Sequence, residues 1–149
     1  MSKKLIFENH TISMKNYIKA ARLRTLPLSV SGIIVGAFLG FNNVLYSDST
    51  VSLLETPIFW LAILTTIGFQ VLSNFANDSG DGVKGTDNER EGEARMVASG
   101  AITPKQMKNA MIVTGVVTTI IALLLIYVSF GKDNFLYSVI FFGLGIASI

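Results

Sequence analysis

The chain has 149 residues, 50% of them apolar and only 15% charged, with no cysteine and a formal net charge of +2. Soluble domains of this length carry about 25% charged residues, so the composition excludes an ordinary soluble enzyme, a disordered chain and an ordinary nucleic-acid binder. The absence of cysteine excludes a disulfide scaffold.

The missing charge is concentrated in four runs free of Asp, Glu, Lys and Arg: residues 25–47, 56–77, 109–131 and 134–149. A helix needs about 20 apolar residues to cross a hydrocarbon core. The first three runs hold 23, 22 and 23 residues and are long enough, whereas the fourth holds 16. At about 1.5 Å per residue the last run reaches only ~24 Å. The expected fold is therefore all-α, a multi-span transmembrane bundle. It has three full spans over 26–46, 57–78 and 104–130, an incomplete fourth over 134–149, and an Asp-rich loop over 79–103.

Lys and Arg near span ends set the orientation, since they are retained on the cytoplasmic side. Lys3, Lys4, Lys15, Lys19, Arg22 and Arg24 precede the first span, and Lys84, Arg90, Arg95, Lys105 and Lys108 lie between the second and third; the opposite side holds only Lys132. This asymmetry places the N-terminus and the Asp-rich loop in the cytoplasm, and it accounts for the basic pI without any nucleic acid. A signal peptide is disfavoured because the first apolar run has span length and no small-x-small cleavage pattern follows it.

Before the first span, Met14, Tyr17, Ile18 and Ala21 fall at helical spacing with Lys15, Lys19 and Arg22 on the other side. The pattern predicts a short amphipathic helix over 14–24 lying on the membrane surface. In the first span Gly32, Gly36 and Gly40 recur every fourth residue, the spacing of a close helix-packing face. Tyr46, Trp60 and Tyr127 stand near span ends, where aromatic side chains anchor at the interface. Phe141 and Phe142 read as lipid or core contacts, and His10 as a tail residue without a role. Thr103, Pro104 and Gln106 spell a capping box with proline at the first helical position, so the third span starts there.

Six of the ten acidic residues lie between positions 78 and 93. An acidic loop alone is usually just solvated, but the residues leading into it are unusual. Asn74, Asn77, Asp78 and Asp81 are spaced i, i+3, i+4 and i+7, which forms one polar stripe where the second span leaves the membrane. Polar groups at that depth face a bundle interior or a watery cavity and read as functional. Beyond Asp81 the Gly-rich run from Gly82 to Asp87 is expected to unwind, because Gly costs about 1 kcal/mol per interior helical position. That unwinding would fold Asp87 back toward Asp78 and Asp81. Converging carboxylates suit Mg²⁺, which completes its shell with water and phosphate oxygens. Arg22, Arg24, Lys84 and Arg95 would neutralise a diphosphate. Asn77, Ser79, Asp81 and Gly82 also match the start of an EF-hand loop, but Asn88 stands where a bidentate Glu is required.

The run from Asn74 to Glu89 resembles the first Asp-rich motif of the UbiA superfamily of intramembrane prenyltransferases, N-D-x-x-D-x-x-x-D. Asn77, Asp78 and Asp81 match; the last Asp is replaced by Gly85, with Asp87 two residues on. That variant, N-D-x-x-D-x-x-x-G-x-D, is similar to the menaquinone-pathway branch that prenylates 1,4-dihydroxy-2-naphthoate. Residues 21–32 and 92–103 also resemble that branch, with Glu93 where it has Pro and Ser79 where it has Tyr.

The resemblance implies Mg²⁺ held by Asp78, Asp81 and Asp87 with Asn77 and Asn74 assisting, and a polyprenyl diphosphate bound through that ion. It implies transfer of the prenyl group to the naphthoate ring with loss of its carboxylate. Arg22, Arg24 and Arg95 would serve either the diphosphate or the acceptor carboxylate. Family members have about nine spans and a second Asp-rich motif, so the chain reads as the N-terminal half of such an enzyme, weak or inactive without its other half, in a bacterial inner membrane. Two alternatives stand beside this reading: the same chemistry on 4-hydroxybenzoate, homogentisate or haem, and a cation-binding membrane scaffold without catalysis.

Overall fold

The computed structural model describes residues 14–44, 53–84, 95–130 and 134–147, with backbone alone for 41–44, 81–84, 135, 142 and 145–147. The described residues form five α-helices and no strand: α1 (Met14–Ala20), α2 (Leu26–Val44), α3 (Pro57–Lys84), α4 (Pro104–Phe130) and α5 (Phe135–Ala147). Three stretches, Met14–Gly40, Pro57–Gly80 and Pro104–Phe130, are long and apolar enough to cross a membrane. The protein is thus an integral membrane helix bundle, as its charge-free runs require.

The first of those stretches is broken by an elbow. After α1 the Ala21 amide still donates to the Tyr17 carbonyl at 2.8 Å. Arg22 then adopts a left-handed conformation, φ 48° and ψ 57°, before a 3₁₀ turn over Leu23–Thr25 leads into α2. Pro27 falls in the first turn of α2, where its missing N–H costs nothing. The single amphipathic helix expected over 14–24 is therefore one α-turn pair, an elbow and a 3₁₀ turn.

α3 has 28 residues and so is about 42 Å long. That exceeds a hydrocarbon core of ~30 Å by about 12 Å, the length of about eight helical residues. The expected unwinding after Asp81 is corrected here: helix continues through Gly82 and Val83 to Lys84. One or two glycines in the final turns of a long helix cost little against the cooperativity of the turns already formed. Asp87 and Arg90 lie outside the described residues, as does Tyr46.

α3 and α4 pair antiparallel, with Gly68 facing Thr118 and Leu72 facing Gly115. Gly68 is required by close approach, since a Cβ there would collide with the Thr118 side chain, itself 2% exposed. The start of α4 is fixed by the expected capping box: the Thr103 amide donates to Gln106 Oε1 at 2.9 Å and the Gln106 amide to Thr103 Oγ1 at 3.2 Å. Trp60 is half exposed near the beginning of α3, and its indole N–H donates to the Leu54 carbonyl at 2.8 Å.

The glycine face of α2 behaves differently from expectation. Nothing lies within 4 Å of a Cβ built on Gly32, Gly36 or Gly40. The same face of α2 does meet α3 nearer the start of α2, where Ser29 reaches Gln70. Gly36 and Gly40 border an open apolar crevice of about 310 Å³ with Ile33, Ala37, Phe59 and Ala62.

The densest packing sits at the end of the bundle where α1, α3 and α4 meet. Ala20, Ala21, Phe75, Met96, Val97, Ile102 and Met107 form the buried cluster, with Tyr17, Val71 and Met111 against it. Tyr17 meets Phe75 edge-on at 6.4 Å. Burying a side chain such as Met107 stabilises by about 1.5–3 kcal/mol. This small core carries the polar stripe of α3.

Candidate active site at the end of helix α3

Four of the polar residues on α3 with described side chains extend along the helix toward this core. Ser29 Oγ of α2 donates to Gln70 Oε1 at 2.6 Å, and Gln70 Nε2 donates to Asn74 Oδ1 at 3.5 Å. Asn74 Nδ2 donates in turn to the Ala21 carbonyl at 2.8 Å and to Thr25 Oγ1 at 3.2 Å. The Thr25 hydroxyl passes its own proton to the Arg22 carbonyl at 2.9 Å. Asn74 is 6% exposed, so its amide is spent on the elbow that carries Arg22 and Arg24.

One turn further, Asp78 is 1% exposed. Its Oδ2 accepts the Met96 amide at 3.0 Å and its Oδ1 the Val97 amide at 2.9 Å. A buried carboxylate without such donors would be costly, and hydrogen bonds to a charged group contribute about 1.5–3 kcal/mol each. The pair of amides belongs to a tight turn. The Ser99 amide donates to Arg95 O and the Gly100 amide to Val97 O, both at 3.0 Å. Gly100 supplies the left-handed φ of 73° that closes the turn.

Arg95 begins the same turn, and its Nη1 donates to the Asn77 carbonyl of α3 at 2.8 Å. Asn77 itself presents an exposed side chain. Asp81 lies on the final turns of α3 and Lys84 is its last residue, both with backbone alone described. The structure thus brings Asn74, Asp78, Arg22, Arg24, Asn77 and Arg95 to one end of the bundle, at the root of the segment that carries Asp87. Among the described residues no three acidic, histidine or cysteine side chains gather, and Asp78 is the one acid of the stripe with a described side chain.

Sequence reasoning missed Gln70, Ser29 and Thr25. Gln70 stands four residues before Asn74 in an otherwise apolar span, and that spacing was the available signal. Ser29 on α2 and Thr25 in the 3₁₀ turn carry no signal of their own, since hydroxyls are common in membrane helices.

Residues 29–149 match the model of the UbiA prenyltransferase family. The chain belongs to the UbiA prenyltransferase family. Among curated proteins, this UbiA chain is similar to a 1,4-dihydroxy-2-naphthoate octaprenyltransferase of Haemophilus influenzae, 37% identical over 99% of the chain and 44% of the relative. A protein of the same name from Escherichia coli is 39% identical over 76% of the chain and 34% of the relative. A third, from Mycobacterium leprae, is 31% identical over 78% of the chain and 37% of the relative. The UbiA chain therefore spans less than half the length of these relatives. No solved structure matches it.

Proposed function

We propose that the chain supplies the first diphosphate-binding half of an enzyme that transfers a polyprenyl group from polyprenyl diphosphate to 1,4-dihydroxy-2-naphthoate in menaquinone synthesis. The observation that carries this reading is the polar end of α3, where Arg95 is bonded to the Asn77 carbonyl and Asn74 holds Ala21 and Thr25, the residues that flank Arg22 and Arg24. The names of the relatives supply the acceptor.

The donor set fits a hard cation. Asp81 and Asp87, with Asn77, are oxygen ligands of the kind Mg²⁺ takes, while both Asp78 oxygens already accept backbone amides. When bound, Mg²⁺ would stabilise negative charge on the diphosphate oxygens. Arg22, Arg24, Lys84 and Arg95 neutralise the same group from the protein side, as forked or point donors to phosphate oxygens. In the reaction the allylic carbon–oxygen bond breaks and its electron pair leaves with diphosphate. The naphthoate ring forms the new carbon–carbon bond and releases its carboxylate as CO₂. The charge develops in a site of low dielectric, where fixed cations act most strongly. The apolar flanks of α2, α3 and α4 leave a greasy path for the prenyl tail. In this reading the N-terminus and the 85–94 segment face the cytoplasm of a bacterial cell, the side that holds eleven of the twelve Lys and Arg residues.

The test is a hybrid in which the chain is joined to the second half of the Haemophilus relative. Membranes carrying it are incubated with naphthoate, Mg²⁺ and a polyprenyl diphosphate, and the prenylated naphthol is followed by mass spectrometry. Product from the hybrid, and little or none from the 149 residues alone, is expected; a hybrid that folds and makes no product overturns the reading.

A further inference from the structure

Two residues of the α3 stripe have their polar atoms turned onto backbone and away from solvent. Asn74 is 6% exposed and holds the Ala21 carbonyl; Asp78 is 1% exposed and holds the Met96 and Val97 amides. They stand one helical turn, about 6 Å, apart on the same face of α3. The two segments they hold are 53 and 18 to 19 residues away in sequence, and each carries arginine: Arg22 and Arg24 on one, Arg95 on the other.

We infer that Asn74 and Asp78 are positioning residues, a double clasp that draws the two arginine-bearing segments onto one turn of α3, and that the ligand-binding work of the stripe falls to Asn77 and Asp81. Three observations support this division. Both Asp78 oxygens already accept a strong amide donor, in geometry that fixes the carboxylate. The Arg95 guanidinium is bonded to the carbonyl of Asn77, the residue preceding Asp78, so the turn that Asp78 anchors is the one that sets where this cation sits. Arg22 is held in the left-handed region with φ 48°, a conformation that surrounding contacts must impose on a non-glycine residue. The Asn74 bonds to Ala21 and Thr25 bracket it on both sides. In the proposed reaction, on which the functional part of this inference rests, the clasps spare the substrate the entropic cost of ordering two loops.

The experiment uses the purified 149-residue chain in detergent, with hydrogen exchange read by mass spectrometry and Mn²⁺ affinity read by electron spin resonance with and without inorganic pyrophosphate. Asp78→Asn keeps the size but offers one acceptor where two are needed. It is expected to speed exchange at least tenfold over 95–102, leave 20–25 near the wild-type rate, and keep Mn²⁺ affinity within twofold while weakening pyrophosphate at least fivefold. Asn74→Asp exchanges the donating amide for a carboxylate oxygen that repels the Ala21 carbonyl, and is expected to speed exchange over 20–25 instead, with the same split between Mn²⁺ and pyrophosphate. Asp81→Asn serves as the contrast: it should lose Mn²⁺ and leave both segments protected. Unchanged exchange over 95–102 in Asp78→Asn overturns the clasp, as does a tenfold loss of Mn²⁺ with protection retained. If Asp78→Asn loosens the whole of α4, Asn74→Asp decides alone: raised exchange confined to 20–25 supports the clasp, and wild-type exchange there overturns it. A wild-type chain that binds neither Mn²⁺ nor pyrophosphate removes the proposed function, while the exchange pattern still judges the clasps.

Discussion

Asp78 and Val97, nineteen residues apart, are joined by a 2.9 Å hydrogen bond from the Val97 amide to the Asp78 carboxylate. Through it the end of a membrane-crossing helix holds the turn that follows the acidic loop. The helix end and the turn are thus joined directly, carboxylate to backbone.

Asp81→Asn in the hybrid enzyme should lower prenyl transfer by about a hundredfold or more, the scale seen when a donor aimed at developing charge is removed. Expression and membrane insertion should be unaffected, because residue 81 falls in the last turns of α3, fourth from its end. Initial rates at saturating polyprenyl diphosphate measure it. A variant with wild-type turnover would return the chain to the scaffold alternative.

Arg22 separates stability from charge. The left-handed backbone costs a residue with a Cβ about 1–2 kcal/mol, and glycine is free of that cost. Arg22→Gly should therefore be more stable than Arg22→Ala by about 1 kcal/mol, although both lose the same cation and should bind diphosphate equally poorly. Urea unfolding monitored by circular dichroism gives the first comparison and pyrophosphate binding the second.

Gly68→Ala should destabilise the α3–α4 pair by about 1–3 kcal/mol, the usual cost of overpacking, because the added methyl meets Thr118. Adding Thr118→Ala removes the colliding atoms and should recover part of the loss. Thermal unfolding of the two single variants and the double variant checks this, and simple additivity would show that the two positions do not touch.

Orientation is open to direct labelling, since the chain has no cysteine of its own. Ala98→Cys and Leu54→Cys place thiols at exposed positions near opposite ends of α3. In spheroplasts an impermeant maleimide should modify position 54 and spare position 98 until the membrane is opened. The reverse pattern would invert the proposed topology.

How much of this was legible follows from how local each signal is. The capping box of Thr103 and Gln106 closes within four residues, so spacing alone found it. The spans were legible because a bilayer imposes a length, and the stripe because helical periodicity places Asn74, Asn77 and Asp78 together. The tasks of Asn74 and Asp78 are hidden, because the Ala21 carbonyl and the Met96 and Val97 amides they hold are backbone atoms of distant segments, and backbone leaves no mark in a sequence. The end of α3 was placed too early because propensity was summed residue by residue, whereas a helix already 25 residues long extends cooperatively through Gly82. A Cβ added along the glycine stripe of α2 would meet nothing within 4 Å among the described residues: a small-residue face permits close packing but does not name its partner.

The buried cluster around Met107 and the lengthwise pairing of α3 with α4 are held by different solvents. Apolar surface gains from contact only where water is the alternative, and inside lipid helices associate through close fit instead. The part of the cluster supplied by Met96, Val97 and Ile102, outside the spans, is thus cemented as a water-soluble protein is, and the pairing of Gly68 with Thr118 as a membrane protein is. Urea should loosen the arginine-bearing segments while α3 and α4 stay paired, and a change of detergent or acyl-chain length should act on the helices while the site holds its shape.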